Sequence, residues 1–401
     1  MATELTREKL VALQLRPVRS DDDRFVGLAA ELGREFAPRA AQHDRENSFV
    51  QENFEDMREA GYLRLAVPEE LGGLGASMRQ VCYAQAELAK YCASTALAVN
   101  MHLYLTLVNA YRWRRGVGSA EGPLRKVATE GIVLMTSGAS DGIWPSATAT
   151  KVDGGYRVSG RKMFCSQAPI GGVFVTAAAY DDPEEGPCIL MMGIPRKADG
   201  FEVVENWDTM GMRATASHDI RLNDVFVAEA QITGRRPWGK DDPILRTALV
   251  HFLPLVSSVY HGVASGARDE AVRTIQGRRR GDGQFLAQDP AIQRQIGLMD
   301  QKLRMSWWAL LGALDETGDD YSADEATVNA VQVAKRLIVD GAVEIVDLAM
   351  EVVGGSSYFK RSPLERTYRD VRAGAFHPFS TEKSLAYTGR MALGLPVDTI
   401  W

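Results

Sequence analysis

Few side chains in this sequence carry chemistry easily, and most can be assigned a structural use from their neighbours. Six histidines are the groups able to exchange protons near neutral pH. His43, His102, His218 and His261 have no neighbour suggesting chemistry, which leaves His251 and His377. Cys82, Cys92, Cys165 and Cys188 form no CxxC pair and no metal-ligand spacing. No GxSxG elbow, HExxH helix or Walker loop occurs, so hydrolase, zincin and P-loop chemistry have no support. The run Arg278-Arg279-Arg280 is too short and isolated to track nucleic acid. Trp307-Trp308 sits inside an apolar helical stretch and reads as core.

Composition narrows the class. The 401 residues are 45% hydrophobic and 24% charged, an ordinary globular balance that excludes a disordered, collagen-like or disulfide-stapled chain. Forty-six basic against fifty-two acidic residues give a net charge of −6, so no nucleic-acid partner is expected. With unpaired cysteines and nothing read as a signal peptide, the expectation is a cytoplasmic protein. Apolar runs break before the ~20 residues of a span, so no membrane partner is expected.

Three textures follow one another. Asp23–Phe36, Phe54–Ala60, Met78–Tyr91 and Ala93–Trp113 carry apolar residues at three- and four-residue intervals and predict helices, with Asp21–Asp23 as a start signal. Pro68 and three glycines mark a turn across Val67–Gly75. From Ile132 the pattern turns to short strands: Tyr156–Val158, Gly172–Ala178, Ile189–Ile194, Phe201–Val204 and Asp219–Leu222. Helical periodicity returns in Leu245–Arg280, Ala291–Thr317, Ala323–Val353 and Thr381–Leu393. The expected domains are 1–131 (α-helical), 132–241 (antiparallel β-barrel) and 242–401 (four-helix bundle).

Several motifs in order, from about Phe25 to Arg390, resemble the acyl-CoA dehydrogenase superfamily of flavoproteins. They are Gly61-Tyr62-Leu63 with Val67–Ser77, Tyr156–Phe164, Trp207–Arg213 through Val227, Gly262-Val263-Ala264 with Ala267 and Arg278, and Gly354-Gly355 with Glu365–Asp370. The resemblance implies the α+β multi-domain fold of helices, β-barrel and four-helix bundle, and a homotetramer or homodimer with one FAD per subunit. Ser166 then falls where a hydroxyl meets the flavin N5 edge, and Phe164 where an aromatic covers the ring. Their alternatives are a turn residue and core. Thr136 and Ser140 fall in the segment lining the flavin and its phosphates, although Met135–Ala139 lacks the family's Thr-Glu-Pro. Arg278 corresponds to the arginine that reaches a neighbouring subunit's pyrophosphate. Glu351 and Gly355 correspond to positions at the adenine end, and Ser380 and Glu382 to polar positions beside the ADP part. If Arg278 is instead a solvated basic residue, FMN fits as well as FAD.

The family's catalytic glutamate is missing. Its usual place is occupied by Pro378, its alternative place by Phe252, and the arginine that helps hold the substrate by Leu253. His377, with Glu382 beyond it, stands nearest the first position, and His251 is adjacent to the second. Three readings result. The first is an acyl-CoA dehydrogenase-like enzyme acting on a CoA or carrier-protein thioester, with His377 or Glu382 as an unconventional base and an electron-transfer flavoprotein as acceptor. The second is a two-component flavin monooxygenase of the same fold, fed by a flavin reductase and using O2, with His377 handling protons. The third is a catalytically silent flavin-binding subunit.

Overall fold

The computed structural model describes residues 22–318 and 320–397, with the backbone alone for Ala139 and Ser140. Its first region contains α1 (Asp23–Glu46), α2 (Gln51–Glu59), α3 (Met78–Ala89), α4 (Ala93–Arg114) and α5 (Glu121–Glu130). Helix α1 runs beyond the expected end at Phe36 and accommodates Pro38. Its buried stripe Phe25, Ala29, Leu32, Phe36 and Ala40 keeps one face on the core, which outweighs the backbone bond that proline removes. Helix α3 begins at a capping box: Ser77 accepts from the Gln80 N–H, and the Gln80 side chain accepts from Ser77 N–H. Asp21, part of the expected start of α1, lies outside the described residues.

The middle region holds β1 (Leu134–Thr136), β2 (Ala147–Val152), β3 (Gly155–Lys162), β4 (Val173–Asp182), β5 (Gly186–Pro195), β6 (Phe201–Val204), β7 (Asp219–Ala228) and β8 (Ile232–Pro237). They form one sheet in the order β6-β7-β3-β2-β4-β5-β8, with β1 beside β4. The sheet is mixed, because β1 and β2 both pair parallel to β4 while the remaining pairings are antiparallel. The parallel step from β2 to β4 sends the chain from the end of β3 across the sheet end. The crossing segment, Met163–Gly172, carries Phe164 and Ser166.

The last region contains α6 (Pro243–Gln276), α7 (Pro290–Thr317), α8 (Glu325–Val353), α9 (Pro363–Val371) and α10 (Thr381–Ala392). Asp242 caps α6 by accepting from the Ile244 and Leu245 N–H groups. By length and composition α6 could cross a membrane, contrary to the expectation of broken apolar runs. In the fold, however, 89% of the qualifying window is buried inside the protein. It is the central helix, packed on α3, α4, α7 and α8. A Cβ on Gly262 would lie 2.2 Å from the Ala86 carbonyl oxygen, so α6 and α3 cross at a distance only glycine allows. Helix α6 stops at Gln276, four residues before the expected end, and Arg278–Arg280 enters a short hairpin in which Arg279 pairs with Phe285.

Helices of the first and last regions share one apolar core, and the sheet encloses a second. The motif Glu365–Asp370 fastens the regions together. Arg369 pairs with Asp44 of α1 at 2.6 Å and with Glu365 at 2.8 Å. Asp370, buried, accepts from the Met212 N–H, and burial pushes its carboxyl up to about 6.

Candidate active site

Where the three regions meet there is a cavity of about 1590 Å³. Ligand pockets commonly measure about 300–1,000 Å³, so this one has room for two small molecules side by side. Phe164, Ser166, Thr136, Trp207, Ser380 and His377 all line it.

Phe164 stands with φ +58° and its side chain projecting, 59% exposed, edge-on to Trp207 at 6.1 Å. A left-handed phenylalanine costs about 1–3 kcal/mol and persists only where its surroundings impose it. They do so here: the Gly138 N–H donates to Met163 O, the Cys165 N–H to His218 O and the Gln167 N–H to Thr215 O. The Gln167 side chain adds a bond to Leu134 O at 2.7 Å. An aromatic held out of the core in this way supplies an apolar platform for a flat ring. The alternative reading of Phe164 as core does not describe it.

Ser166 is buried and ends a chain of hydroxyls. Thr215 Oγ donates to Met212 O at 2.9 Å. Ser217 lies 2.7 Å from Thr215 Oγ and 2.8 Å from Ser166 Oγ. Each hydroxyl has a single hydrogen. With the Thr215 hydrogen committed to a carbonyl, Ser217 must donate to Thr215, and Ser166 to Ser217. The Ser166 oxygen therefore presents lone pairs, rather than a hydrogen, to the cavity. Thr136 ends β1 on the same wall, beside Tyr104.

His377 sits opposite. Its Nε2 shares a hydrogen bond with the Tyr260 hydroxyl at 2.8 Å, and its ring lies 6.1 Å from that of Phe252. Burial, and then the nearby Lys335 ammonium, hold the imidazole down to about 3, and burial raises the Tyr260 phenol well above its usual range. Both groups are neutral at physiological pH. Buried Lys335, lowered by burial to about 8, donates to His377 O and Phe379 O at 2.9 and 2.8 Å and fixes the turn bearing the histidine. His251, the second candidate, is tied to Thr247 O and Tyr321 away from the cavity wall.

The other sequence-derived positions fall elsewhere. Glu382 lies on the exposed first turn of α10, where a carboxylate favours the helix dipole, and it does not line the cavity. Arg278, Glu351 and Gly355 gather at the far end of α8, outside the cavity. Arg278 donates to Val353 O and Ser356 Oγ, and Glu351 accepts from Gln295. The Ser140 side chain lies outside the described residues.

Some features of the cavity had no sequence signal. Tyr260 and His377 are 117 residues apart. Asp141 and Lys162 form a buried ion pair at 2.6 Å under the cavity, with Lys162 fully inaccessible and also donating to Ala177 O. Burial pulls the Lys162 ammonium down, against the pull of Asp141. Asp141 is the sole carboxylate among the described lining residues, and both its oxygens are taken by Lys162. Its neighbour Ser140 marked the segment, but nothing local indicated the lysine.

Comparison with known proteins agrees with the three-region architecture. Models of the acyl-CoA dehydrogenase N-terminal, middle and C-terminal domains match residues 27–112, 136–225 and 255–382. L-evernosamine nitrososynthase of Micromonospora sp. is 32% identical, over 99% of this chain and 96% of its own. A short-chain-specific acyl-CoA dehydrogenase of Clostridium acetobutylicum is 24% identical, over 91% of this chain and 97% of its own. The structure of KijD3 with FMN and dTDP-3-amino-2,3,6-trideoxy-4-keto-3-methyl-D-glucose superposes with a TM-score of 0.87 at 30% identity, covering 95% of each chain.

Proposed function

The chain belongs to the acyl-CoA dehydrogenase family and is a flavin-dependent oxidoreductase, and from that premise we propose that it is a monooxygenase fed by a separate flavin reductase, inserting oxygen into an amine. One observation carries this reading: among the described residues no free carboxylate lines the cavity. Removing an α-proton from an acyl thioester needs a poised base, and Asp141, bound to Lys162, cannot serve as one. An oxygenation needs no such base. The relative named as a nitrososynthase and the neighbour bound to an amino sugar make an amine the fitting substrate class.

The residues present suit a flavin. Phe164 and Trp207 offer the platform for its ring, Thr136 a hydroxyl, and Ser166 a lone pair where the resemblance places N5. When bound, the reduced flavin gives two electrons to O2, so that one oxygen atom enters the substrate and the other leaves as water. The apolar wall around Leu97, Met101 and Phe252 excludes water. With Nε2 engaged by Tyr260, His377 keeps Nδ1 for the substrate. An imidazole held at about 3 does not store a proton; it orients the amine by a hydrogen bond, and the Tyr260 hydroxyl fixes its ring. Arg278 spends both terminal nitrogens within its own chain, which favours FMN over a flavin needing an AMP anchor. We place the enzyme in the cytoplasm as a homo-oligomer.

The Ser166 relay gives the test. Reduced flavin carries a hydrogen on N5 and oxidised flavin does not, so an accepting Ser166 favours the reduced form. The protein should bind reduced FMN at least tenfold more tightly than oxidised FMN in anaerobic titrations. Thr215→Val frees the relay to reverse and should narrow that ratio by roughly two- to tenfold, the worth of one hydrogen bond. Equal affinity for both forms in the unaltered protein would remove the support.

A further inference from the structure

The two aromatics of the cavity wall come from different segments, Phe164 after β3 and Trp207 after β6, and one residue joins them. That residue is His218, which directly precedes β7. Its carbonyl accepts from the N–H of Cys165, next to Phe164, at 3.0 Å. Its ring Nδ1 accepts from the N–H groups of Asn206 and Trp207, each at 3.0 Å. The Asn206 side chain returns the contact by accepting from the Asp219 N–H, also at 3.0 Å. On its other side the Trp207 backbone is held by Asn47, just past α1, whose Nδ2 donates to Trp207 O at 2.6 Å. Nothing beside His218 in the sequence suggested such a use.

A ring nitrogen that accepts from two N–H groups must carry its lone pair, which puts the hydrogen of the neutral imidazole on Nε2. Protonation would set a hydrogen on Nδ1 against two donors, and both bonds would be lost. Burial holds the imidazole below its usual value, while Glu205 and Asp219 pull it upward. Those two are the charged groups facing it among the described residues. Glu205 is exposed on the loop that bears Trp207, and Asp219 is paired with Arg161 of β3 at 2.7 Å. The ring is therefore neutral at pH 7.5 and takes a proton only below about 6.5. The bond from Cys165, made to the His218 backbone, survives that step. The two ring bonds do not.

We propose that His218 is a positioning residue for the aromatic wall: its neutral ring ties the Trp207 loop to the segment bearing Phe164, and protonation releases the tie. That the wall serves a flavin rests on the reading above; the tie itself does not.

Hydrogen exchange, read by mass spectrometry and corrected for the intrinsic effect of pH, is followed at pH 7.5 and 5.5 for residues 204–209 of the full-length protein, of His218→Asn and of His218→Leu. Asparagine offers an oxygen where Nδ1 stood and has no proton to gain in this range. The unaltered protein should lose protection there by about threefold or more at the lower pH. His218→Asn should keep it at both values, and His218→Leu should lack it at both. Protection in His218→Leu equal to that of the unaltered protein overturns the proposal. So does loosening of His218→Asn in acid as large as the unaltered protein's, which would assign the change to Asp370, the acceptor of the Met212 N–H. If His218→Leu does not fold, the comparison with His218→Asn decides alone. Riboflavin, which has no phosphate to titrate, is then bound to the same proteins at pH 7.5. It should bind His218→Leu roughly two- to tenfold more weakly, the worth of one hydrogen bond, and His218→Asn as it binds the unaltered protein. Equal riboflavin affinity throughout, with the exchange pattern as expected, would sustain the tie and sink the Phe164–Trp207 pair as a flavin platform.

Discussion

Lys162→Met should destabilise the protein by about 3–5 kcal/mol, the cost of stranding one member of a buried ion pair. The lysine is fully buried and its three hydrogens are spent on both Asp141 oxygens and Ala177 O, so nothing else can neutralise the carboxylate it leaves. Asp141 in turn holds the Ser146 N–H and the Ser137 hydroxyl, so the disturbance reaches the segment joining β1 to β2 and the cavity floor. Urea denaturation should show the loss as a lower midpoint with little change in slope. Removing both charges together, Asp141→Leu with Lys162→Met, should cost less than the two single losses combined. Additive losses would mean that the pair does not act as a unit.

Acid should unfold this protein steeply. His102 and His251 are held by burial at about 4, and His261 and His377 at about 3, so all four stay neutral in the folded state where an unfolded histidine takes a proton near 6.5. As pH falls below 6.5 the unfolded chain gains protons that the folded chain refuses, and stability declines with them. Asp370 works in the opposite sense, because its carboxyl, raised to about 6, holds a proton in the folded state over part of that range. The net is about three protons around pH 5.5, or about 4 kcal/mol per pH unit. Against a typical stability of about 5–15 kcal/mol, urea midpoints measured at pH 7.5, 6.5, 5.5 and 5.0 should slip slightly over the first step and fall steeply over the two below pH 6.5. Midpoints unchanged between pH 6.5 and 5.0 would mean that the histidines are solvated or paired.

The local features of the fold were the legible ones. Apolar spacing located the long helices because a buried stripe sets its own period. It misjudged their ends where the deciding contacts are distant: Pro38 is carried by the core around Phe36, and α6 yields at Gly277 to the hairpin of Arg279 and Phe285. Phe164 and Ser166 were readable because four consecutive residues bring both to the cavity from one strand end. Ser217 and Thr215, which give Ser166 its polarity, arrive from another loop, and Tyr260 reaches His377 across the bundle. No pattern in the chain records those meetings. No expected strand covered β8, whose alternation turns Arg236 inward while Arg235 pairs with Asp182 on the surface. Glu382, chosen by proximity in sequence to His377, sits on an exposed helix turn, because one helical step changes the direction a side chain faces.

The central claim is oxygen transfer without a carboxylate base. The direct measurement is mass spectrometry of a nucleoside-diphosphate-linked amino sugar incubated with the protein, a flavin reductase, NADH, FMN and 18O2. The account predicts a product bearing one or more 18O atoms on nitrogen, lost when the flavin is supplied only in its oxidised form without reductase. Unlabelled substrate throughout, together with bleaching of bound flavin by an acyl-CoA in the absence of oxygen, would contradict it and restore the dehydrogenase.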